Sequence, residues 1–236
     1  MKQASNEYFG KDLEAMSFAQ NYHQWILEIC SPYLGKVVAE IGAGTGNFSD
    51  FLLSSDIKRL VAFEPSDNMY PLLEEKFKAV SNVETIKSLF ENRSETYPDA
   101  FDSVCYINVL EHIEKDDEAL SHAYKCIRKN GYLLIFVPAL NFLFSEMDKS
   151  LGHYRRYSKK NLYKVVSSAG FSVKTIKYFD LAGIVPWLIA FVLMKGTMKS
   201  SGVAVYDRLV VPFMKKVERI LPPPIGKNLV LVARKE

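Results

Sequence analysis

The stretch VVAEIGAGTGNFSDFLL, residues 37–53, decides the fold of this chain. It joins an apolar, β-branched run to a segment with helical character through a loop that contains three glycines. Such a junction is typical of the first strand, turn and helix of an open parallel sheet, where ligands bind at the carboxyl ends of the strands. The loop therefore predicts a ligand site, and its neighbouring residues decide the class of ligand.

The glycine spacing and one acid argue against a dinucleotide. The dinucleotide fingerprint is Gly-x-Gly-x-x-Gly, whereas this loop has Gly42, Gly44 and Gly46, and Asn47 stands where the third glycine belongs. Glu40 would repel a pyrophosphate and attract an ammonium group. S-adenosylmethionine has an ammonium group and no phosphate, so it suits this loop. A nicotinamide-dependent oxidoreductase is the alternative that these two features disfavour.

Apolar runs alternate with amphipathic runs along the chain, which predicts a parallel sheet with right-handed crossovers. Strands are predicted at 36–41, 59–64, 82–87, 101–107, 131–138, 171–179 and 228–235. Helices are predicted at 12–30, 47–54, 68–79, 116–129 and 159–169. Ser158 is a good N-cap for the last of these helices, and Gly170 a good residue to follow its end.

Composition and charge exclude several classes of protein. The 236 residues are 48% hydrophobic and 24% charged, which fits a globular fold and not a disordered chain. A net charge of +3 is too small to indicate a nucleic-acid partner, and none is predicted. The three cysteines, Cys30, Cys105 and Cys126, indicate no disulfide framework. With no apolar signal segment in the first residues, we expect a cytoplasmic protein.

Four segments resemble the class I S-adenosylmethionine-dependent methyltransferases. They are EIGAGTG (40–46), VAFEPSDNM (61–69), FDSVCYINVLEHI (101–113) and GYLLIFVP (131–138). The resemblance implies a Rossmann-like seven-stranded α/β fold whose sheet is mostly parallel, with the last strand antiparallel and helices on both faces. It also implies methyl transfer from S-adenosylmethionine to an oxygen or nitrogen of a small-molecule or lipid-like acceptor, which leaves S-adenosylhomocysteine. A cofactor-binding scaffold without turnover is a further alternative.

The same resemblance divides the chain and assigns its cofactor site. A single methyltransferase domain would span 1–236, with a helical cap at 1–35, a core at 36–179, a helical insertion at 180–227 and the last strand at 228–236. In the family, the acid that closes the second strand, here Glu64, binds both ribose hydroxyls. The cofactor-binding residues expected on this basis are Tyr22, Glu40, Gly42, Ala43, Gly44, Gly46, Glu64, Pro65, Met69, Leu89, Asn108 and Val109.

His112 is the candidate catalytic base, since it follows the fourth strand and faces the end of the site where the methyl group is delivered. A structural histidine that bonds to the backbone is the alternative. Some relatives in quinone biosynthesis carry Glu-x-x-Glu-His here and bind a metal. This chain has Asn108 in place of the first glutamate. The amide removes a charge that a hard cation needs, so no metal is predicted.

The string DKSLGHYRRYS, residues 148–158, resembles a "LGHYRRY" subgroup of methyltransferase type 11/12-like sequences. Aromatic and cationic side chains beside a predicted pocket suggest acceptor binding. The alternative is a surface loop whose arginines pair with acids such as Asp148. The substrate-binding residues expected are His153, Tyr154, Arg155, Arg156 and Tyr157.

The insertion contains the uncharged stretch LAGIVPWLIAFVLM, residues 181–194. It is too short to span a bilayer, which needs about 20 residues, and Pro186 predicts an interrupted helix. Basic residues follow it. Three roles stay open for this segment: a lid that forms an acceptor pocket, a membrane-surface contact through 181–219 at the inner face of the membrane, or a dimer interface.

Overall fold

A computed structural model describes residues 19–196 and 200–236. Its seven-stranded sheet has the order β3-β2-β1-β4-β5-β7-β6. The last strand, β7, runs antiparallel to its neighbours β5 and β6, and the other neighbouring pairs are parallel. This confirms the predicted Rossmann-like sheet. The strands are β1 Val37–Ile41, β2 Arg59–Phe63, β3 Val83–Ile86, β4 Phe101–Ile107, β5 Ile127–Pro138, β6 Ser172–Phe179 and β7 Asn228–Arg234.

Helices flank the sheet, and 3₁₀ turns lie in several connections. The α-helices are α1 Gln20–Cys30, α2 Asn47–Leu53, α3 Tyr70–Phe77, α4 Asp116–Cys126, α5 Glu146–Ser150, α6 Lys159–Ser168, α7 Ile184–Trp187, α8 Ser200–Leu209 and α9 Val211–Ile220. A π-helical segment, Leu188–Leu193, follows α7, and the 3₁₀ turn Leu110–His112 follows β4. The predicted helix at 12–30 lies partly outside the described residues.

Two apolar clusters cover the two faces of the sheet. Neighbouring residues of a strand point to opposite faces, so Val38 and Ala39 of β1 belong to different clusters. Ala39 packs in the cluster that contains Leu120 of α4 and Leu162 of α6. Val38 packs in the cluster that contains Ile26 of α1. Burial on both faces explains why the sequences of strands such as β1, β2 and β7 are nearly continuously apolar and do not alternate.

The end of the predicted helix 116–129 is wrong. α4 ends at Cys126, and residues 127–130 belong to β5, which begins before the predicted start at 131. Ile127 is fully buried and pairs with Phe101 of β4, where the register of the two strands shifts. The gain from this burial and pairing outweighs the helical pattern of the segment.

The expectation that Pro186 interrupts a helix is also wrong. Pro186 lies in the first turn of α7, where a backbone N–H has no partner within the helix and its loss costs little. The chain then continues into the π-helical segment. Within residues 19–196 and 200–236, no helix is both long and apolar enough to cross a bilayer.

Buried carboxylates join the insertion to the core. Asp207 of α8 accepts hydrogen bonds from the backbone N–H groups of Asn21 (3.0 Å) and Tyr22 (2.8 Å), so it satisfies donors at the start of α1. Glu218 of α9 accepts from the backbone N–H groups of Asp180 (3.1 Å) and Leu181 (2.8 Å). The insertion is therefore anchored beside the carboxyl ends of the strands.

Candidate active site

A cavity of about 670 Å³ opens at the carboxyl ends of β1, β2 and β4. The strand order reverses between β1 and β4, which is where open α/β sheets bind ligands. Trp187 of the insertion lines the same cavity. Eleven of the predicted cofactor-binding residues line it: Tyr22, Glu40, Gly42, Ala43, Gly44, Glu64, Pro65, Met69, Leu89, Asn108 and Val109.

Gly46 is the predicted cofactor residue that does not line the cavity. It has a φ of 78° and precedes α2, and a Cβ at this position would lie 2.5 Å from the ring of Phe77. Gly46 therefore permits the close packing of the loop against α3. Gly42, by contrast, borders the cavity, where its Cβ would meet Val109 at 2.6 Å.

Glu64 follows β2 and holds the ends of two loops together. Its Oε2 accepts from the backbone N–H of Gly44 at 2.7 Å, and its Oε1 accepts from the backbone N–H of Ser66 at 2.9 Å and from the Ser66 hydroxyl. A carboxylate has about four acceptor sites. A ligand that offers two hydroxyls would therefore displace the Ser66 hydroxyl from Glu64.

Glu40 lies at the cavity end of β1 and is 3% exposed. Its Oε2 accepts from the hydroxyl of Ser49 at 2.5 Å. Burial raises the pKa of Glu40 to about 8, although Ser49 and Lys76 oppose the shift. The carboxyl is thus protonated at neutral pH until a cation in the cavity stabilises its charged form.

Glu111, His112 and His153 lie together at the opposite end of the cavity. Their ligating atoms are all within 4.8 Å of one another, and the two imidazole rings meet edge to face with centroids 4.5 Å apart. Burial, followed by the proximity of His153, lowers the pKa of His112 to about 3. Burial raises the pKa of Glu111 to about 7. His112 is therefore a neutral imidazole at physiological pH, and it forms a hydrogen bond with the backbone of Leu151.

Two of the five predicted acceptor-binding residues, His153 and Arg156, line this cavity. Arg156 is buried and forms a two-pronged ion pair with Asp148, with Nε to Oδ1 at 2.9 Å and Nη2 to Oδ2 at 3.2 Å. Asp148 also accepts from the backbone N–H of Ser145 at 2.9 Å. The structure contains the arginine–Asp148 pair that the alternative expected, but the pair is buried and does not lie on a surface loop.

The other three predicted residues do not line this cavity. Tyr154 is 54% exposed. Arg155 pairs with Asp116 at 2.8 Å, and the buried Tyr157 donates to the same carboxylate at 2.7 Å. Consecutive side chains of an extended segment point in different directions, so five neighbouring residues cannot all face one cavity.

A sequence model of a family described as "Methyltransferase domain" matches residues 39–133, which run from within β1 into β5 and include Glu111 and His112. This chain carries a class I S-adenosylmethionine-dependent methyltransferase domain. The match covers the whole glycine loop and Glu64. S-adenosylmethionine is the cofactor of such a domain, and the order of the sheet agrees with the assignment.

Curated relatives of the methyltransferase domain are distant. A tRNA U34 carboxymethyltransferase of Helicobacter pylori (strain Shi470) is 27% identical over 150 residues, which cover 60% of this chain and 55% of the relative. A ribosomal RNA small subunit methyltransferase A of Sulfurihydrogenibium is 43% identical over 54 residues, 23% of this chain and 21% of the relative. The chain thus spans about half the length of the carboxymethyltransferases that it matches.

Solved structures share the fold of this methyltransferase domain. A SAM-dependent methyltransferase from Archaeoglobus fulgidus superposes with a TM-score of 0.64 at 21% identity, covering 95% of this chain and 99% of that one. The Burkholderia thailandensis 1,6-didemethyltoxoflavin-N1-methyltransferase, solved with bound 1,6-didemethyltoxoflavin and S-adenosylhomocysteine, gives a TM-score of 0.62 at 15% identity, covering 96% of this chain and 82% of that one. At these identities the likeness concerns the fold.

We expect the affinity for S-adenosylmethionine to rise about tenfold between pH 6 and pH 7, because the free protein must release the proton of Glu40 to pair with the ammonium group. The sign follows from the pKa of about 8 in the free protein and a lower one in the complex. Lys76, Asp50 and Glu64 also act on Glu40. Calorimetry in buffers of different ionisation enthalpy measures both the affinity and the released proton.

Two variants test whether the ionisation of Glu40 causes this pH dependence. Glu40→Gln should bind more weakly at pH 7 and lose most of the rise. Glu111→Gln, which alters an acid at the other end of the cavity, should keep it. An unchanged rise in Glu40→Gln would show that another group releases the proton.

Asn228 and Trp187 are cavity residues that sequence reasoning missed. Asn228 lies 3.2 Å from the hydroxyl of Tyr22, a predicted cofactor-binding residue whose hydroxyl is also 3.1 Å from Asp180. Trp187 also lines the cavity, and its Nε1 donates to the carbonyl of Leu143. Asn228 and Trp187 are far from the cofactor motifs in sequence, so local patterns carry no signal for them. The motif NVLEHI was the one available signal for Glu111.

Proposed function

We propose that this methyltransferase transfers a methyl group from S-adenosylmethionine to an oxygen or nitrogen atom of a lipid-like small molecule. The observation that carries the proposal is one continuous cavity that contains Glu40 and Glu64 at one end and Glu111, His153 and Trp187 at the other. Two reactants in one cavity can be held in line, and such orientation supplies several kcal/mol of the barrier, roughly 7–11 in model reactions.

The residues of the cavity divide between the two reactants. When bound, S-adenosylmethionine supplies an electrophilic methyl group on sulfur. We propose that Glu40 pairs with its ammonium group and Glu64 accepts from its ribose hydroxyls. Glu111 would accept a hydrogen bond from the hydroxyl or amine of the acceptor. As the acceptor is methylated, its proton would pass to the carboxylate of Glu111.

Exposed apolar side chains beside Trp187 favour a lipid-like acceptor. Val185, Ile189 and Leu193 recur every fourth residue after the start of the insertion, and they are 59%, 47% and 67% exposed. Side chains four residues apart lie on one face of a helix. Such a row of exposed apolar groups is typical of a surface that receives an apolar ligand or rests on lipid.

Exposed apolar residues also lie on α8 and α9 and directly after α9. They are Val205, Leu209, Phe213, Ile220 and Leu221. Basic residues, among them Arg208, Lys216 and Arg219, lie on the same two helices. Apolar and basic groups together favour contact with an anionic lipid surface, which would bring a membrane-bound acceptor to the cavity.

A second candidate acceptor is tRNA, because the relatives named tRNA U34 carboxymethyltransferase match 60% of this chain. The cavity lining has charges of both signs near its rim, with Glu114 and Glu118 beside Lys115. A polyanion binds best to a basic surface. The charges at the rim therefore favour the lipid-like acceptor over tRNA, and tRNA becomes one arm of the test.

The test uses S-adenosylmethionine labelled in its methyl group, offered with membrane lipids, soluble metabolites or total tRNA from one source. We expect label in the lipid fraction. Trp187→Ala should lower labelling at least tenfold, because it removes an apolar wall of the cavity, while the Kd for S-adenosylmethionine stays within about twofold. Tyr163→Ala, an exposed aromatic residue of α6, is the matched control and should label as the wild type does. Label in tRNA alone, or full labelling by Trp187→Ala, would contradict the proposal.

A further inference from the structure

The acceptor end of the cavity contains a buried carboxylate oxygen that the rest of the protein does not satisfy. Among the described residues, Glu111 Oε2 is buried without a hydrogen-bond partner, and Glu111 as a whole is 1% exposed. A buried acceptor without a partner costs about 1–3 kcal/mol. Such groups are rare in native proteins, and a bound water, ligand or ion is one physical reason for them.

The two histidines beside Glu111 are oriented by other groups. His153 Nδ1 lies 3.0 Å from Asp148 Oδ1, so Nε2, on the other edge of the imidazole, is the nitrogen that could bind an ion. His112 is held by its hydrogen bond with the backbone of Leu151. Its Nδ1 lies 4.0 Å from the position that a Cβ on Gly152 would take, so this nitrogen faces the 151–152 backbone. Histidine ligands of metals are typically oriented in this way, by a carboxylate or a backbone carbonyl on the second nitrogen.

We propose that Glu111, His112 and His153 bind a divalent first-row transition ion such as Zn²⁺. Two imidazoles and one carboxylate are a ligand set that such ions prefer, and three protein ligands leave a coordination position open. The ligating atoms lie within 4.8 Å of one another. In tetrahedral coordination, ligands at about 2.0–2.2 Å from the ion lie about 3.3–3.6 Å apart, so side-chain shifts that bring the most distant pair about 1 Å closer would close the site.

The charges around the cluster also suit a cation. Arg156 is a buried cation that acts on Glu111, and its charge is compensated by the two-pronged pair with Asp148. The carboxylate of Glu111 has no such partner. A divalent ion would therefore compensate Glu111 without displacing an existing ion pair.

This site was not predicted from the sequence, where Asn108 in the motif argued against a metal. That argument concerned a hard cation held by two carboxylates. His153 belongs to the loop at 148–158, and only the folded chain brings it beside His112. The resulting ligand set suits a softer ion.

The open position would face the cavity and take the acceptor oxygen or nitrogen. This part of the inference rests on the proposed function, and in the metal-bound protein the acceptor would contact the ion and not Glu111. Binding of the ion itself does not depend on the methyl donor or the acceptor.

Calorimetric titration of the metal-free protein with Zn²⁺ tests the site, with Co²⁺ as a spectroscopic probe. We expect one ion per chain and a visible Co²⁺ absorption band that shows ordered coordination. Glu111→Gln and His153→Gln should each weaken binding at least tenfold. His122→Gln is the matched control, since His122 lies on α4 and contacts Ser94 at 2.7 Å away from the cluster; it should bind as the wild type does.

Two results would overturn the inference. One is the absence of a saturable one-to-one event with either ion. The other is equal affinity in the wild type, Glu111→Gln and His153→Gln, which would mark binding elsewhere on the chain. Titration of the same samples with S-adenosylmethionine separates the metal proposal from the proposed function. A protein that binds the cofactor but no ion would contradict the metal site alone.

Discussion

Glu64→Ala is expected to weaken the binding of S-adenosylmethionine about a hundredfold. Two ribose hydroxyls that donate to one carboxylate form two charge-assisted hydrogen bonds, each worth about 1.5–3 kcal/mol. Two such bonds at the lower value contribute about 3 kcal/mol, which corresponds to about a hundredfold change in Kd. Calorimetry at fixed pH measures the change directly.

The structure adds a second reason for a large loss. The backbone N–H of Gly44 donates to Glu64 Oε2, so the carboxylate also fixes the glycine loop that borders the cavity. Alanine at position 64 would release both the ribose contact and this loop. The loss of loop order should add to the loss of affinity.

Glu75→Ala is the matched control for this variant. Glu75 lies on α3, is exposed and pairs with Lys78 on the surface, so its removal should leave the Kd unchanged within about twofold. A circular dichroism spectrum and melting curve establish that both variants fold. A loss of less than tenfold in a folded Glu64→Ala protein would mean that the ribose binds elsewhere.

The sheet and the cofactor end of the cavity could be predicted because both depend on local patterns. The strands are buried on both faces and read as short apolar runs, and the carboxyl ends of parallel strands meet at one edge of the sheet. Glu40, at the end of β1, and Glu64, just after β2, therefore had to lie close together. In the structure both line one cavity.

The boundary between α4 and β5 could not be predicted, because tertiary pairing decides it. The segment 127–130 has polar residues and a helical pattern, yet Ile127 pairs with β4 and is buried. The role of Gly46 was missed for a similar reason. Its neighbour Phe77 comes from α3, and the packing of α3 against the loop leaves too little room for a side chain at position 46, in addition to the strain of its positive φ.

The end of the cavity that contains Glu111, His112 and His153 was predicted least well, because it depends on contacts between distant segments. The loop at 148–158 was correctly placed beside the site, but the direction of each side chain depends on its partners. Asp116 of α4 holds Arg155 and Tyr157 away from the cavity. Asp148 orients His153 and Arg156.

Asp148→Asn is expected to lower the free energy of unfolding by about 3–5 kcal/mol, because it leaves the charge of a buried arginine without its partner. Arg156 is 4% exposed and Asp148 is fully buried, so neither charge can be solvated in the folded protein. Urea unfolding monitored by tryptophan fluorescence measures the change. Glu146→Gln is the matched control on the same helix: its ion pair with Lys149 is exposed, and the loss should be below about 1 kcal/mol.

The pH dependence distinguishes a lost ion pair from a packing defect. Burial raises the pKa of Asp148, but His153 and Arg156 outweigh this effect and lower the pKa below the usual value of 3.8. A lowered pKa means that the carboxylate contributes its full stability above pH 3.8 and loses it as the pH falls through the folded-state value. The difference between the wild type and Asp148→Asn should therefore be constant near neutral pH and shrink below pH 3.8. A difference that persists unchanged in acid would assign the loss to packing, and a difference under 1 kcal/mol at pH 7 would show that Arg156 does not need this partner.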